Sequence, residues 1–275
     1  LATKQFLFLF IATTVIFGSL FLNNLTTTEK LFQDQVVYDS HKLLDNTNQF
    51  LNSYLENIQS ILLSLSMNNH LLETGSEEEI NNFLRSTADI NSNTVNTIYI
   101  INNEKKVYSS HSVFYEILGN PHISYLYQLS RKNYGGINWS EPYYSPLSAS
   151  KTVAFVSPIT DKKNNFIGTV VVEIDLTELS KRLSSMLWNK NQTFIIMTSS
   201  GQLVSSDIRS SIIPHEQAVY PKQPSQTFIN KVQQLKVGVT HLETSGLPLI
   251  SIKSDSNRLG WKLISLIDES VFYEN

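Results

Sequence analysis

The sequence predicts an α+β chain: a transmembrane helix and a long stalk helix, then two tandem modules built on antiparallel sheets. Three observations predict it. Residues 6–22 form an apolar run without a single charge, and no proline or glycine interrupts 28–67. Strand signals then recur in the same order, once from residue 97 and again from residue 193.

With 275 residues the chain is long enough for one large domain or two modest ones with cores of their own. Charged residues are 16% and hydrophobic ones 41%, a balance that excludes a disordered chain. The net charge of −3 comes with no long basic run, so no nucleic-acid partner is expected. The absence of cysteine excludes a disulfide framework, a thiol nucleophile and a thiolate metal site.

The apolar run of ~17 residues sits at the lower limit for crossing a bilayer core at about 1.5 Å per residue. A cleaved leader competes with this reading. However, no small-x-small site follows Phe21, Leu22, Asn23 and Asn24, and the helical pattern continues past them, which favours a retained span. Lys4 on one side and the neutral 23–28 on the other place the start in the cytoplasm and the bulk outside. From Thr28 onward Phe32, Val36, Leu43, Phe50, Tyr54, Ile58, Ile61 and Leu65 form one apolar stripe, read as a stalk or dimer seam.

Asn68 and Asn69 end that helix. Ser76 followed by Glu77, Glu78 and Glu79 starts a new one that carries Ile80, Phe83 and Leu84, so the acidic triplet is a helix start rather than a metal site. Strands are expected at 97–101 and 106–109, then a helix opened by Asn120-Pro121. Further strands are expected at 141–145, 152–159 and 166–174, and Asp175 then caps a helix bearing Leu176, Leu179, Leu183 and Leu187. The pattern restarts with strands at 193–197 and 202–205, a proline-containing loop over 212–225 and a short helix bearing Phe228 and Val232. Strands at 239–243, 248–253 and 261–267 follow, and Asp268 starts a terminal helix. The implied organisation is a transmembrane helix over 1–22, a stalk or dimerisation helix over 23–70, and modules over 71–188 and 189–275.

No catalytic residue, metal site or cofactor is expected. His41, His70, His111, His122, His215 and His241 are scattered, without an HExxH pair, and no GxSxG elbow or Walker loop is present. A membrane-anchored enzyme is therefore the disfavoured class. The stretch 131–144 gathers one guanidinium and several rings, Arg131, Tyr134, Trp139, Tyr143 and Tyr144, a composition suited to holding a carboxylate or a sugar hydroxyl.

Several segments in order carry a family resemblance: the membrane helix running into the stalk, Trp139-Ser140-Glu141-Pro142-Tyr143-Tyr144, and Val156-Ser157-Pro158-Ile159-Thr160-Asp161. Phe166-Ile167-Gly168-Thr169-Val170-Val171-Val172-Glu173-Ile174-Asp175 and the closing Leu259-Gly260-Trp261-Lys262-Leu263-Ile264 complete the set. The chain resembles the extracellular double-Cache sensor region of bacterial receptors, and most of all the YesM-like sensor histidine kinases of Gram-positive bacteria. The resemblance implies two PAS-like modules outside the cell membrane, a homodimer, and a cytoplasmic kinase beyond residue 275. It implies a ligand in the membrane-distal module, 71–188: an extracellular small molecule, a sugar-related compound included, or a solute-binding protein. A chemoreceptor or a diguanylate cyclase is the alternative output, and a membrane-anchored protein-recognition module the alternative role. Against the amino-acid-binding motif of such domains, Arg131 and Tyr134 match and Asp175 matches the closing aspartate. Asn133 stands where a tryptophan is expected, and the leading tyrosine is displaced to Tyr125 or Tyr127.

Overall fold

The computed structural model describes all residues except 1, 112–119, 133–135, 188–191, 207–211, 215–223, 245 and 273–275. For residues 2–9, 11, 12, 29, 32, 271 and 272 it describes the backbone alone. The chain opens with helix α1 (Ala2–Ser66), 65 residues and so roughly 100 Å long. Among the described residues no helix is long and apolar enough to cross a membrane. Within 6–22, the side chains at 6–9, 11 and 12 are not among those described.

Helices α2 (Asn69–Thr74) and α3 (Glu77–Ile90) follow. The acidic start of α3 is a capping box: Ser76 Oγ accepts from the Glu79 N–H, and the Glu79 carboxylate accepts from the Ser76 N–H. The first sheet contains β1 (Thr97–Asn102), β2 (Val107–Ser109), β3 (Asn138–Trp139), β4 (Tyr143–Tyr144), β5 (Lys151–Thr160) and β6 (Phe166–Asp175), with α4 (Pro121–Lys132) crossing over between β2 and β3. Helix α5 (Leu176–Ser185) leads to the second sheet, β7 (Gln192–Met197), β8 (Leu203–Ser206), β9 (Gly238–Thr244), β10 (Leu247–Lys253) and β11 (Lys262–Asp268), interrupted by α6 (Gln226–Gln233). A single 3-10 turn, Glu269–Phe272, stands where the terminal helix was expected, and the Asp268 carboxylate accepts from the Ser270 N–H at its start.

Every strand pair is antiparallel. The strand orders are β2-β1-β6-β5-β3, with β4 also on β5, and β8-β7-β11-β10-β9. Taken as one broken strand, β3 and β4 make the two orders identical: second, first, fifth, fourth, third. The repeat read from element order is thus a repeat of topology.

The strand expected over 141–145 is broken because Pro142 has no N–H to give the ladder. Ser140 patches the gap: its N–H donates to the Ala154 carbonyl at 2.9 Å, and its hydroxyl accepts from the Ala154 N–H at 3.0 Å.

The apolar stripe of α1 is not a free stalk. From Leu44 onward, Leu51, Leu55, Ile58, Leu62 and Leu65 recur at steps of three, four or seven and are buried in one core with residues of both sheets. That core takes Ile98, Val153, Val170 and Val172 from the first sheet and Phe194, Ile196, Ile252 and Trp261 from the second. Expected stripe members Val36, Phe50 and Tyr54 pack only at its margin. The outer faces are covered separately. Helix α4 lies over Tyr99, Ile101, Ala154, Val156 and Val171, and α6 lies over Ile195, Leu249, Ile264 and Leu266. A buried polar clamp adds to the packing, with the Gln192 amide donating to Ser40 Oγ and to Ser265 Oγ, both at 2.9 Å.

Since α1 is core from its middle onward, Leu51→Ala should cost roughly 2–5 kcal/mol, while Leu31→Ala, on the exposed part of the same helix, should stay within about 0.5 kcal/mol. Urea unfolding of the two variants distinguishes a spine from a stalk.

Candidate functional site

Alternation along β6 decides which side chains can meet a ligand. Val170, Val172 and Ile174 face α1, so Val171, Glu173 and Asp175 face α4. Glu173 is paired across the sheet with Thr97 on one side and Ala154 on the other, and its relative exposure is 0%. A carboxylate in that position must be hydrogen-bonded. Tyr99 Oη donates to its Oε1 at 3.0 Å and Tyr143 Oη donates to the same atom at 2.6 Å, while Ser145 Oγ donates to Oε2 at 2.7 Å. Ser148 Oγ lies 3.5 Å from Oε2.

Each partner is positioned by its own element. Tyr99 is held by the middle of β1, Tyr143 by the short β4, and Ser145 and Ser148 by the turn joining β4 to β5. The Tyr143 ring also stacks on His122 at the start of α4, with centroids 4.8 Å apart and planes at 20°. Burial pushes the Glu173 carboxyl above the ordinary glutamate range, and the hydroxyls only partly pull it back. The neighbouring phenols are driven up by the same burial and by the Glu173 charge. Together these groups make a polar floor under α4.

The expected site residues fall on different surfaces. Tyr143 belongs to the floor. Tyr144, one residue on, pairs with Lys151 and has the opposite parity; 68% of it is exposed. Trp139 pairs with Phe155, a residue of the α1-side core, so its ring lies on that side with 38% exposure. The aromatic cluster expected over 131–144 is therefore divided by the pleat of the sheet. Arg131 lies in the last turn of α4 and is exposed, without an ion pair to any described residue. Tyr134 lies outside the described residues. Asp175 faces α4 and is a helix cap, its Oδ1 accepting from the Thr177 and Glu178 N–H groups at 2.6 and 3.2 Å. Its Oδ2 carries no hydrogen bond from a described residue.

Glu173 and Tyr99 were missed from the sequence. The signal was present: a single acid inside the aliphatic run Val170 to Ile174, two residues from Asp175 and so on its face. Among the described residues no group of three or more histidine or acidic side chains is placed to hold a metal.

A family model described as the Cache domain matches residues 28–275. Solved structures are similar at low identity. The ligand-binding domain of the Campylobacter jejuni chemoreceptor Tlp3, in complex with L-valine, is 12% identical with a TM-score of 0.64, covering 90% of this chain and 98% of that one. The ligand-binding domain of the Pseudomonas aeruginosa amino acid chemoreceptor PctB, in complex with L-Arg, is 15% identical with a TM-score of 0.61, covering 84% and 92%. The extracellular domain of the putative histidine kinase rpHK1S-Z16 is 16% identical with a TM-score of 0.63, covering 84% and 94%. No curated protein matches the chain.

The buried carboxyl has a pH signature. With its folded value raised, Glu173 holds its proton in the folded chain where the unfolded chain has lost it. Its contribution to stability is complete below the ordinary glutamate range and is lost as pH rises through that range toward the raised value. Glu173→Gln keeps the shape and removes the titration, so its melting temperature should fall less than the wild type's over that weakly acidic window.

Proposed function

Because the chain belongs to the Cache domain family, we propose that it is the extracellular sensing region of a membrane-bound receptor. In this reading it is a double-Cache pair with its distal module over 71–188 and its proximal module over 189–275. The output is a histidine kinase of the YesM-like kind. The observation that carries the proposal is α1, one unbroken helix that is core to both sheets at one end and apolar and exposed at the other.

Phe10, Val15, Ile16, Phe17, Leu20, Phe21 and Leu22 cover more than one face of that exposed end. Such a surface is unfavourable in water and at ease in lipid, which supports a membrane anchor over 1–22 with the bulk outside the cell. The exposed turns that follow suit a parallel homodimer seam. A chemoreceptor output is the second reading, favoured by the likeness to the Tlp3 and PctB domains.

The sensed ligand is a small molecule held on the α4 face of the first sheet. The Tyr99–Glu173–Tyr143 floor supplies fixed hydrogen-bonding groups, Arg131 supplies the rim, and Asp175 Oδ2 is available to an ammonium or a hydroxyl. Trp139 and Tyr144 lie on the other face and do not contribute to this floor. The bound neighbours carry amino acids, and the departures at Asn133 and at the leading tyrosine widen the class to sugars and other small polar solutes. No chemistry on the ligand is implied. Its difference in affinity for two arrangements of the module is what moves the helix.

A thermal-shift panel of amino acids and sugars on the purified chain tests the reading. A ligand at a hundred times its dissociation constant should stabilise the fold by about 2.7 kcal/mol, and Arg131→Ala or Tyr143→Ala should weaken it about tenfold or more. Trp139→Ala should leave affinity within about twofold. A response to a solute-binding lipoprotein and to no small molecule would transfer the sensing to that partner.

A further inference from the structure

A concavity borders the α4 face and shares Tyr143 with its floor. Between the end of the first sheet, helix α5 and strand β8, a cleft of about 950 Å³ opens at the junction of the two modules, near the top of the roughly 300–1,000 Å³ of small-molecule sites. Tyr144 and Lys151 line it from the first sheet, Thr177 and Ser184 from α5, and Ser206 from the second sheet.

Its charge is one-sided, since no aspartate or glutamate lines it among the described residues. Of its two lysines, Lys181 is neutralised by Glu178, with Nζ 2.6 Å from Oε1. Lys151 makes no ion pair or side-chain hydrogen bond with any described residue. It is half-buried, and burial holds its ammonium below the ordinary lysine range. An ammonium partly stripped of water and lacking a counter-charge attracts an anion. Around it, the Thr177, Ser184 and Ser206 hydroxyls also form no hydrogen bond with a described residue, leaving donors and acceptors on two walls. The exposed Tyr144 ring supplies an apolar face beside them.

We propose that this cleft is a ligand site of its own, anchored on Lys151 rather than on Glu173 and Arg131 of the α4 face. It takes a small polyhydroxylated anion, whose carboxylate or phosphate pairs with Lys151 and whose hydroxyls engage Thr177, Ser184 and Ser206. Because its walls come from both modules, the occupant ties α5 and the first sheet to β8 and strengthens the join between them.

Isothermal titration of the full chain in detergent micelles with glucuronate, glucose 6-phosphate, glucose, acetate and inorganic phosphate tests this. Glucuronate or glucose 6-phosphate should bind, and which of the two does so identifies the anionic group. Glucose, acetate and phosphate should bind at least about tenfold more weakly. Lys151→Gln should lower affinity about tenfold, and Ser206→Ala about threefold. The proposal is overturned if neither anionic sugar binds, if glucose binds as well as they do, or if Lys151→Gln and Ser206→Ala both bind as the wild type does. It is equally overturned if binding is lost in Arg131→Ala and kept in Lys151→Gln, which assigns the ligand to the α4 face.

Discussion

One helix face buried against two sheets organises this molecule. From Leu44 to Leu65 the apolar row of α1 meets side chains from both sheets in a single core. On that side α3, through Ile80 and Leu84, and α5, through Leu176, Leu179 and Leu183, share the core with it, while α4 and α6 cover the opposite sides. A sheet hydrophobic on both faces needs a layer on each, and here one helix serves two sheets. The two sheets are thus joined through a shared hydrophobic surface as well as through the covalent link at α5.

Within that frame the first sheet carries the more unusual chemistry. Placing Glu173 at full burial is unfavourable unless every lone pair is occupied, and Tyr99, Tyr143, Ser145 and Ser148 converge to do so. The four donors come from a strand, a short edge strand and a turn, segments otherwise only loosely related. A polar network of this kind rigidifies whatever lies above it. Through His122 it also reaches α4, the helix that carries Arg131 in its last turn.

Much of the architecture was legible in the residues. Strand alternation, the Ser76 capping box and the Asp175 cap are local, and local chemistry can be read from a few neighbouring side chains. The shared role of α1 was not, because an amphipathic stripe specifies that a face is buried without saying by what. The candidate site was legible in part. Tyr143 could be chosen as an aromatic in a promising loop, but Tyr144 and Trp139 looked equivalent to it until the register against β5 put them across the pleat. Pro142 is the physical reason, since by breaking the strand it resets which residue faces which side. Glu173 was hidden by its setting, read as one more strand residue when its charge was the informative feature.

The amide of Gln192, bonded at once to Ser40 on α1 and Ser265 on β11, also limits how the spine can travel. A piston stroke of one helical turn, about 5.4 Å, would carry Ser40 away and leave that buried amide with Ser265 alone. Displacement of the spine is therefore resisted at the second sheet, which rides with it as ballast. The helix is tied at the first sheet as well, where Tyr54 Oη donates to the Thr94 carbonyl and Asn57 Nδ2 donates to Thr94 Oγ1 just ahead of β1.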